Sequence, residues 1–523
     1  MKLKYRFLAG LLTCSLAFSA LAIPASATTA EEQKEAERLS YYTKEIDSNS
    51  IPGWPQGPQI YADSAIVMEA STGTILYSKD MDKPQYPASI TKIMTALLAL
   101  ENCSLDEIVT YSYYATHSIE YGSSSIGTTE GEQLTVEQSL YALLLESANE
   151  CGNGLAEHIS GSVEEFAKLM NQRAAEIGCT NTNFVNPHGL HDDNHYTSAH
   201  DMALITQEAI KNGTFVTISG TARYTMGPTN KDDETTYMQN HHNMIHAYRS
   251  SKFLDDTVIA GKTGGTSAAL NTLVTVAERN GMTLIVVTMR THSTAENGVP
   301  VFSDTALLLD YATDNFSKVN IADNESNFSM DSSNIFNTGS SIFGGSQALV
   351  EVNPNGFVIL PNGASFADAS PTLEFISDES SPNVVASLSY TYEGQPIGST
   401  TIDLAESAIK DFEFDKKTDA ETPAEDASEK QEKNFIKINI KLILVIVLII
   451  TIVLILLYIL RKRQRQYRYR SRRSRDRGSS FGSRRRRRRR SSLRRKRRSG
   501  SSNSSSRYTR SSGTRSNSSN YDL

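Results

Sequence analysis

The chain has 523 residues, 39% of them hydrophobic, and a formal net charge of −7 at pH 7. This length excludes a single compact domain and predicts two or three domains with a sizeable core. The charge is segregated, because residues 461–523 hold 25 Lys and Arg against two acids, which leaves about −30 for the first 460 residues. Two chemically different compartments are therefore expected.

The N-terminal residues 1–27 have the composition of a secretory signal peptide. A basic start is followed by an apolar run and by Ala25-Ser26-Ala27, which predicts cleavage before Thr28. Residues 28–58 are polar and marked by prolines, and we interpret them as a leader.

Residues 59–315 are predicted to form an α+β domain. The stretch "SAIVMEASTGTILYSKD" predicts a hairpin that turns at Ser71-Thr72-Gly73, and "NTLVTVAERNGMTLIVVTMR" predicts a second that turns at Asn280-Gly281. Between them the chain is mostly helical, with a capping box from Thr135 to Gln138. Hairpins at both ends with helices between them predict one antiparallel sheet covered by helices.

Four further segments follow. Short apolar runs separated by Pro-Asn-Gly turns predict a small β-rich domain over 316–415, and residues 416–440 read as an acidic linker. Leu442–Leu460 is an uncharged run of 19 residues, which at ~1.5 Å per residue spans ~28 Å. It predicts a transmembrane helix at 441–460.

The Arg/Ser-rich residues 461–523 are predicted to be a disordered tail. Positive charge marks the cytoplasmic side of a membrane, so the tail is expected inside the cell and the folded domains outside. The arginines could bind nucleic acid through its phosphates, but contact with anionic lipid is favoured.

The stretch "YPASITKIMTALLAL" places Ser89 three residues before Lys92, at the start of an apolar helix. Side chains at i and i+3 share one face of a helix. A serine hydroxyl is a weak nucleophile that needs a base, and lysine serves as one only when burial or a nearby cation lowers its pKa. Free N–H groups at a helix start also favour developing negative charge. The pair therefore predicts an activated nucleophile.

Two more short motifs follow. Ser147-Ala148-Asn149 comes just after the amphipathic helix predicted to begin at the Thr135 capping box, and Lys262-Thr263-Gly264 lies in "AGKTGGTS". The second could instead belong to a phosphate-binding P-loop. That motif reads G-x-x-x-x-G-K-[ST], and its first glycine is missing ahead of Gly261-Lys262, so phosphate binding is disfavoured.

Each motif is weak alone, but their order, at gaps of 58 and 115 residues, resembles that of the penicillin-recognising serine acyltransferases. The segments "LLLESANECGNGLAEHISGS", "NFVNPHGLHDDNHYTSAHDMALI" and "GKTGGTS" are similar to those of the D-alanyl-D-alanine carboxypeptidases, the low-molecular-weight penicillin-binding proteins. The resemblance covers roughly residues 59–315. Residues 316–415 are similar, over fewer segments, to the C-terminal domain of that family. The resemblance of residues 59–315 implies the penicillin-binding/β-lactamase-like transpeptidase fold.

The resemblance also implies roles for the motif residues. Ser89 would attack the carbonyl between the two terminal D-alanines of a peptidoglycan stem peptide, Lys92 would take its proton, and Ser147 would relay a proton to the leaving amine. β-Lactams would acylate Ser89, and neither a metal nor an organic cofactor is needed. Backbone N–H groups of Ser89 and Gly265 would form the oxyanion hole, and Thr266 would contact the terminal carboxylate. The substrate-binding residues would be Asn149, Lys262, Thr263, Gly265 and Thr266.

Three positions depart from the family pattern. The family usually has arginines where this chain has His200 and Val301, and a bulkier residue at Gly265. Those arginines hold the carboxylate of the substrate, since a guanidinium pairs with it bidentately. Arg290 could compensate. These departures therefore concern substrate specificity and rate rather than the acylation chemistry.

Two other functions remain open, a β-lactamase-like hydrolase and a non-catalytic peptidoglycan-binding wall protein. The first needs a dedicated deacylating carboxylate, and no E-x-x-L-N pattern follows Asn149. The intact motifs argue against the second. His242 and His246 have zinc-ligand spacing without a third ligand, and His188 is interpreted as structural. Three cysteines remain after signal removal, so at least one thiol is free.

Overall fold

The structure, a computed structural model, describes residues 29–293, 300–325, 328, 330–331, 348–376 and 383–404. The predicted signal peptide, acidic linker, membrane span and basic tail lie outside these residues. Within the described ranges, no helix is both long enough and apolar enough to cross a bilayer.

Up to residue 315, helices alternate with strands and short 3₁₀ turns, of which Ala88–Thr91 is the one that matters for the site. The helices described here are α1 (Ala30–Tyr42), α2 (Lys92–Asn102), α3 (Tyr113–His117), α4 (Val136–Leu145), α5 (Asn149–Ser160), α6 (Val163–Ile177), α7 (Ala199–Ala209), α8 (Gly213–Gly220) and α9 (Pro300–Asn315). The strands are β1 (Ser64–Glu69), β2 (Ile75–Lys79), β3 (Ile108–Thr110), β4 (Gln133–Thr135), β5 (Arg223–Met226), β6 (Thr236–Gln239), β7 (Val258–Thr266), β8 (Leu270–Arg279) and β9 (Met282–Thr291).

Five of these strands form one antiparallel sheet in the order β2-β1-β9-β8-β7. Both predicted hairpins are present, and β8 turns into β9 at Asn280-Gly281, where both residues have positive φ as a tight hairpin requires. The first strand pairs with the last, with Ala65 opposite Thr288. The prediction of one antiparallel sheet with helices inserted between its hairpins is confirmed.

Both faces of this sheet are covered, so most residues of β1, β2, β8 and β9 are buried. Side chains of β1 alternate between the faces, so that Ile66 and Met68 join the core beneath the helices. Ala65 and Val67 point to the opposite face, into a second core shared with α9.

The helical layer matches the sequence prediction in outline. Thr135 caps α4 with the expected capping box, since it accepts from the backbone of Gln138 while that side chain accepts from the Thr135 backbone. The layer also holds two small strand pairs, β3 with β4 and β5 with β6, which hydrophobic periodicity did not predict.

The leader is more than a polar tether. Its helix α1 begins at a capping box on Thr29, and the chain after it buries Ile46 and Trp54 in the second core. The ammonium of Lys79 on β2 donates to the carbonyls of Tyr41, Ile60 and Ala62. The residues ahead of β1 are therefore bonded to the central sheet.

A second antiparallel sheet begins directly after α9. Its elements are β10 (Phe316–Asn320), α10 (Ile321–Asn324), β11 (Met330–Asp331), β12 (Ala348–Val352), β13 (Phe357–Pro361), β14 (Ser370–Phe375), β15 (Val384–Tyr392) and β16 (Gln395–Leu404). The strand order is β10-β13-β16-β12-β11, and β15 pairs with both β14 and β16. Lys318 on β10 lies 3.4 Å from the buried carboxylate of Glu69 on β1, so the two sheets contact each other.

Candidate active site

Ser89 lies in the 3₁₀ turn Ala88–Thr91, and α2 begins at Lys92. The sequence predicted an α-helical start here, so the turn is tighter than expected. In a 3₁₀ turn the side chains at i and i+3 eclipse one another. The Nζ atom of Lys92 accordingly lies 3.0 Å from Oγ of Ser89. The predicted nucleophile and base are in hydrogen-bond contact.

Lys92 is fully buried, and its other contacts are acceptors. Nζ donates to Oδ1 of Asn149 at 2.7 Å and to the carbonyl of His188 at 2.8 Å. Burial, and then the charge of Lys262, hold the pKa of Lys92 well below its usual value, against the opposing charge of Glu150. A neutral amine has two N–H donors and one lone pair. In that form of Lys92 the two acceptors would use both donors, which would leave the lone pair for the Ser89 hydroxyl.

The His188 carbonyl reaches Lys92 because the chain passes very close to the Ser89 turn. Gly189 has φ +86°, and a Cβ built on it would lie 1.8 Å from the carbonyl oxygen of Ala88, which itself has φ +50°. No side chain fits at this point. His188 contacts Lys92 through its backbone carbonyl, while its ring accepts from the Leu190 N–H, and the structural role of the ring stays a prediction.

Ser147 lies between α4 and α5 in a left-handed conformation, with φ +61°. Positive φ is costly for a non-glycine residue and is concentrated at functional sites. Its side chain is only 4% exposed, and within the described chain its Oγ has no hydrogen-bond partner. Helix α5 begins two residues later at Asn149, whose amide oxygen accepts a hydrogen bond from Lys92. Ser147 thus presents an unused hydroxyl to the same cavity as Ser89.

Strand β7 carries the third motif along the edge of the central sheet. Lys262 is buried and donates to the carbonyl of Thr263 at 3.0 Å. Burial lowers the pKa of Lys262 to about 7, against the charge of Glu146, which raises it. A Cβ on Gly264 would lie 2.9 Å from the backbone nitrogen of Ser89, so glycine permits the strand to approach the turn this closely.

A cleft of about 140 Å³ joins these elements. Four of the predicted site residues line it, namely Ser89, Ser147, Thr263 and Gly265. Lys92 and Asn149 lie behind Ser89 and reach it through the contacts above. The hydroxyl of Thr266 accepts from the Ala269 N–H, and contact with a substrate carboxylate stays a prediction for it. Gly264 of the third motif also lines the cleft. The cleft-lining residues outside the three motifs are Ser124, His241, Asn243, Tyr248, Arg249, Asn271, Thr272, Val301 and Phe302.

A second ionisable pair lies beside Ser147. His241 Nε2 is 3.1 Å from Oε2 of Glu146, whose Oε1 accepts from the Gln239 N–H. Burial raises the pKa of Glu146, but the hydrogen bonds from His241 and Gln239 outweigh it and the pKa is lowered overall. The ionised carboxylate of Glu146 raises the pKa of Lys262 and so favours its charged form.

Three residues were considered above in connection with the substrate carboxylate, namely His200, Val301 and Arg290. None of them places a cation in the cleft. His200 pairs with Asp82 at 2.8 Å and does not line the cleft, while Val301 does line it but is apolar. Arg290 donates to the leader through Tyr41 and Glu37. Arg290 therefore does not compensate for the missing arginines.

Possible metal ligands lie apart from this site. Among the described residues, Cys103, Glu107 and His158 form one group with ligand atoms within 4.8 Å of one another, and none of the three lines the cleft. His242 bonds Thr275 and His246 bonds Gln239, so the two histidines do not converge. The thiols of Cys103, Cys151 and Cys179 are all free.

Comparison with known proteins shows consistent similarities. Residues 52–293 match the peptidase S11 family, described as D-alanyl-D-alanine carboxypeptidase. The chain is 34% identical over 253 residues to D-alanyl-D-alanine carboxypeptidase DacF of Bacillus subtilis, which covers 48% of this chain but only 62% of that protein. It is 30% identical over 264 residues to D-alanyl-D-alanine carboxypeptidase DacB2 of Mycobacterium tuberculosis, covering 50% of this chain and 84% of that protein.

Among solved structures, penicillin binding protein 5 from Haemophilus influenzae is similar over 67% of this chain and 98% of that one. The TM-score is 0.53 and the identity 26%. This length of overlap includes more than the residues matched by the family, so the similarity extends into the second sheet.

Proposed function

Because this chain belongs to the D-alanyl-D-alanine carboxypeptidase family, we propose that it removes the terminal D-alanine from peptidoglycan stem peptides through an acyl-enzyme on Ser89. The observation that carries the proposal is the contact between Ser89 Oγ and a buried Lys92 whose two N–H donors already have acceptors. This arrangement serves proton abstraction from the serine hydroxyl.

In the acylation step, Ser89 Oγ bonds to the carbonyl carbon of the penultimate D-alanine and its proton passes to Lys92. The developing oxyanion is stabilised by the N–H groups of Ser89 and Gly265. When the C–N bond breaks, the leaving amine takes a proton through Ser147, whose hydroxyl has no other partner in the described chain. Water then attacks the ester, which releases the shortened peptide and restores Ser89.

β-Lactams are proposed to acylate the same serine, because their strained amide mimics the scissile bond. In a carboxypeptidase the adduct persists, whereas a β-lactamase-like hydrolase would clear it rapidly. Support for the carboxypeptidase comes from Glu150, the acid nearest Asn149 in sequence. Its carboxylate accepts from Ser125 Oγ and from the Ile126 N–H and does not line the cleft.

The deciding experiment measures D-alanine release from a peptide ending in Lys-D-Ala-D-Ala by the full chain, with Ser89→Ala beside it. We expect release by the parent chain only, together with a β-lactam adduct that survives for many turnovers of the peptide. Rapid turnover of the β-lactam would favour the β-lactamase-like alternative. Peptide binding without release, unchanged by Ser89→Ala, would identify a wall-binding protein.

We also propose that the chain is held in the cell membrane by the span at 441–460, with the catalytic domain outside and the basic tail in contact with anionic lipid in the cytoplasm. The support is the sequence pattern of an apolar run followed by arginines. Protease added to intact cells should digest the catalytic domain and spare a tag at the C-terminus. Digestion of both would contradict this topology.

The close approach at Gly189 leads to a further prediction. Gly189→Ala should lower the free energy of unfolding by about 3 kcal/mol or more and slow β-lactam acylation, because the Cβ displaces either the Ser89 turn or the His188 carbonyl. Thermal unfolding and the acylation rate measure the two effects.

The matched control is Gly178→Ala, since Gly178 also has positive φ, at +101°, but has open space around a built Cβ. It should cost only about 1–2 kcal/mol for the left-handed conformation and leave acylation unchanged. Equal effects of both variants on acylation would show that the close approach at Gly189 does not support the site.

A further inference from the structure

The cleft has a second wall that none of the three motifs supplies. It is the segment 241–249, which contributes His241, Asn243, Tyr248 and Arg249 to the lining. This wall matters because the structure leaves the carboxylate of the substrate without an arginine at either of the positions where the family usually has one.

The 241–249 segment is tied to the catalytic motifs rather than free in solvent. His241 bonds Glu146, the neighbour of Ser147, and its ring stacks on Tyr248 with centroids 4.3 Å apart. The buried side chain of Asn243 accepts from the backbone N–H of Arg249 at 3.1 Å. The backbone that carries Arg249 is therefore held at the cleft.

The guanidinium of Arg249, in contrast, is unused. Its central carbon lies 5.7 Å from the ring centre of Tyr248, and within the described ranges it has neither a hydrogen bond nor an ion pair. The other arginines of the described chain are engaged by carboxylates or, for Arg223, by His246. An unpaired guanidinium at the edge of a cleft is available to an anion.

Lys262 is a weaker counterion for a substrate carboxylate. It is buried, it already donates to the Thr263 carbonyl, and burial lowers its pKa to about 7, so near neutral pH it is only partly charged. A guanidinium keeps its charge at every physiological pH and can bond both carboxylate oxygens.

We propose that Arg249 binds the C-terminal carboxylate of the substrate and so determines the preference for a free carboxyl terminus. This inference rests on the proposed function, and it assigns to the 241–249 segment the role that the residues at 200 and 301 do not fill. The cleaved amide lies one residue from that carboxylate, and Ser89 and Arg249 line the same cleft.

The test compares Arg249→Gln and Arg249→Lys with the parent full chain on two peptides that end in D-Ala-D-Ala, one as the free acid and one as the C-terminal amide. We expect kcat/KM for the acid to fall about 10–100-fold in Arg249→Gln, the loss of one charge-assisted pair. The amide should be affected less than about 3-fold, and Arg249→Lys should recover part of the loss. Arg223→Gln, outside the cleft lining, is the matched control and should change neither rate.

Equal losses on acid and amide, or no loss on either, would overturn the assignment. A third peptide is amidated at its C-terminus but carries an acidic side chain. It tests whether Arg249 binds a side-chain carboxylate of the stem peptide instead of the terminal one. A loss confined to that peptide would move Arg249 to a different subsite and contradict the proposal.

A second readout separates this inference from the proposed function. Acylation of Ser89 by benzylpenicillin is compared with acylation by the methyl ester of benzylpenicillin. Neither reaction depends on cleavage of a peptide. Arg249→Gln should slow the acid selectively by about 10-fold or more. If the parent chain releases no D-alanine, the proposed function fails, yet the ratio of acid to ester still decides the role of Arg249.

Discussion

Lys92→Met is expected to slow β-lactam acylation of Ser89 by about 10³–10⁴-fold, the upper part of the range for loss of a general base. Methionine fills the buried space of the lysine stem but cannot accept the Ser89 proton. The variant also leaves Oδ1 of Asn149 and the His188 carbonyl without their donor. Two buried acceptors without partners cost about 1–3 kcal/mol each in stability. Acylation is measured on protein shown to be folded by its thermal unfolding.

Lys79→Met separates the two consequences. Lys79 on β2 is equally buried, and burial lowers its pKa to about 8. It donates to the backbone carbonyls of Tyr41, Ile60 and Ala62, which do not line the cleft. We expect this variant to lose stability at least as much as Lys92→Met and to keep its acylation rate within about 3-fold. If both variants acylate at the parent rate, Lys92 is not the base and the mechanism proposed here is wrong.

Ser147→Ala is expected to lower D-alanine release by about 10²–10³-fold without any loss of stability. Proton relay to a leaving group contributes on this scale. The hydroxyl has no partner in the described structure, so alanine breaks no hydrogen bond and removes a buried unsatisfied group. Stability should stay level or rise by up to about 1 kcal/mol. The measurements are peptide turnover and the midpoint of thermal unfolding.

Ser139→Ala provides the opposite combination on the neighbouring helix. Ser139 is buried on α4, donates to the Thr135 carbonyl and accepts from the hydroxyl of Tyr111. This variant should lose about 1–3 kcal/mol of stability and keep its turnover. A Ser147→Ala chain that turns over peptide at the parent rate would exclude Ser147 from proton transfer and assign it a packing role.

The central sheet and its helical cover could be predicted because their signals are local. Alternation and Asn-Gly turns define hairpins, and the capping box from Thr135 to Gln138 marks a helix start within four residues. The second sheet followed from short apolar runs between turn residues. The leader was the part interpreted least well, because the burial of Trp54 depends on a core that residues far along the chain provide.

The candidate site could likewise be predicted from the sequence only in part. Ser89, Lys92, Ser147 and Lys262 could be proposed from the sequence because each motif spans at most four residues and their order is informative. Arg249 could not be found, because it belongs to no motif and reaches the cleft through its packing on Tyr248. Arg290 shows the converse. It was a candidate for the substrate carboxylate, but the leader residues Glu37 and Tyr41 bind it instead.

The sequence by itself indicated the family and the proposed nucleophile and base, since these depend on residue types at short spacing. Only the tertiary structure decided the surroundings of Lys92, the proposed base, because its acceptors on Asn149 and His188 lie 57 and 96 residues away in the sequence. It also decided which cations face the cleft, since a contact with Glu146 ties the 241–249 segment to the catalytic motifs, and Glu37 and Tyr41 bind Arg290. Electrostatics acts through space, so the charge that a substrate meets is set by the folded chain.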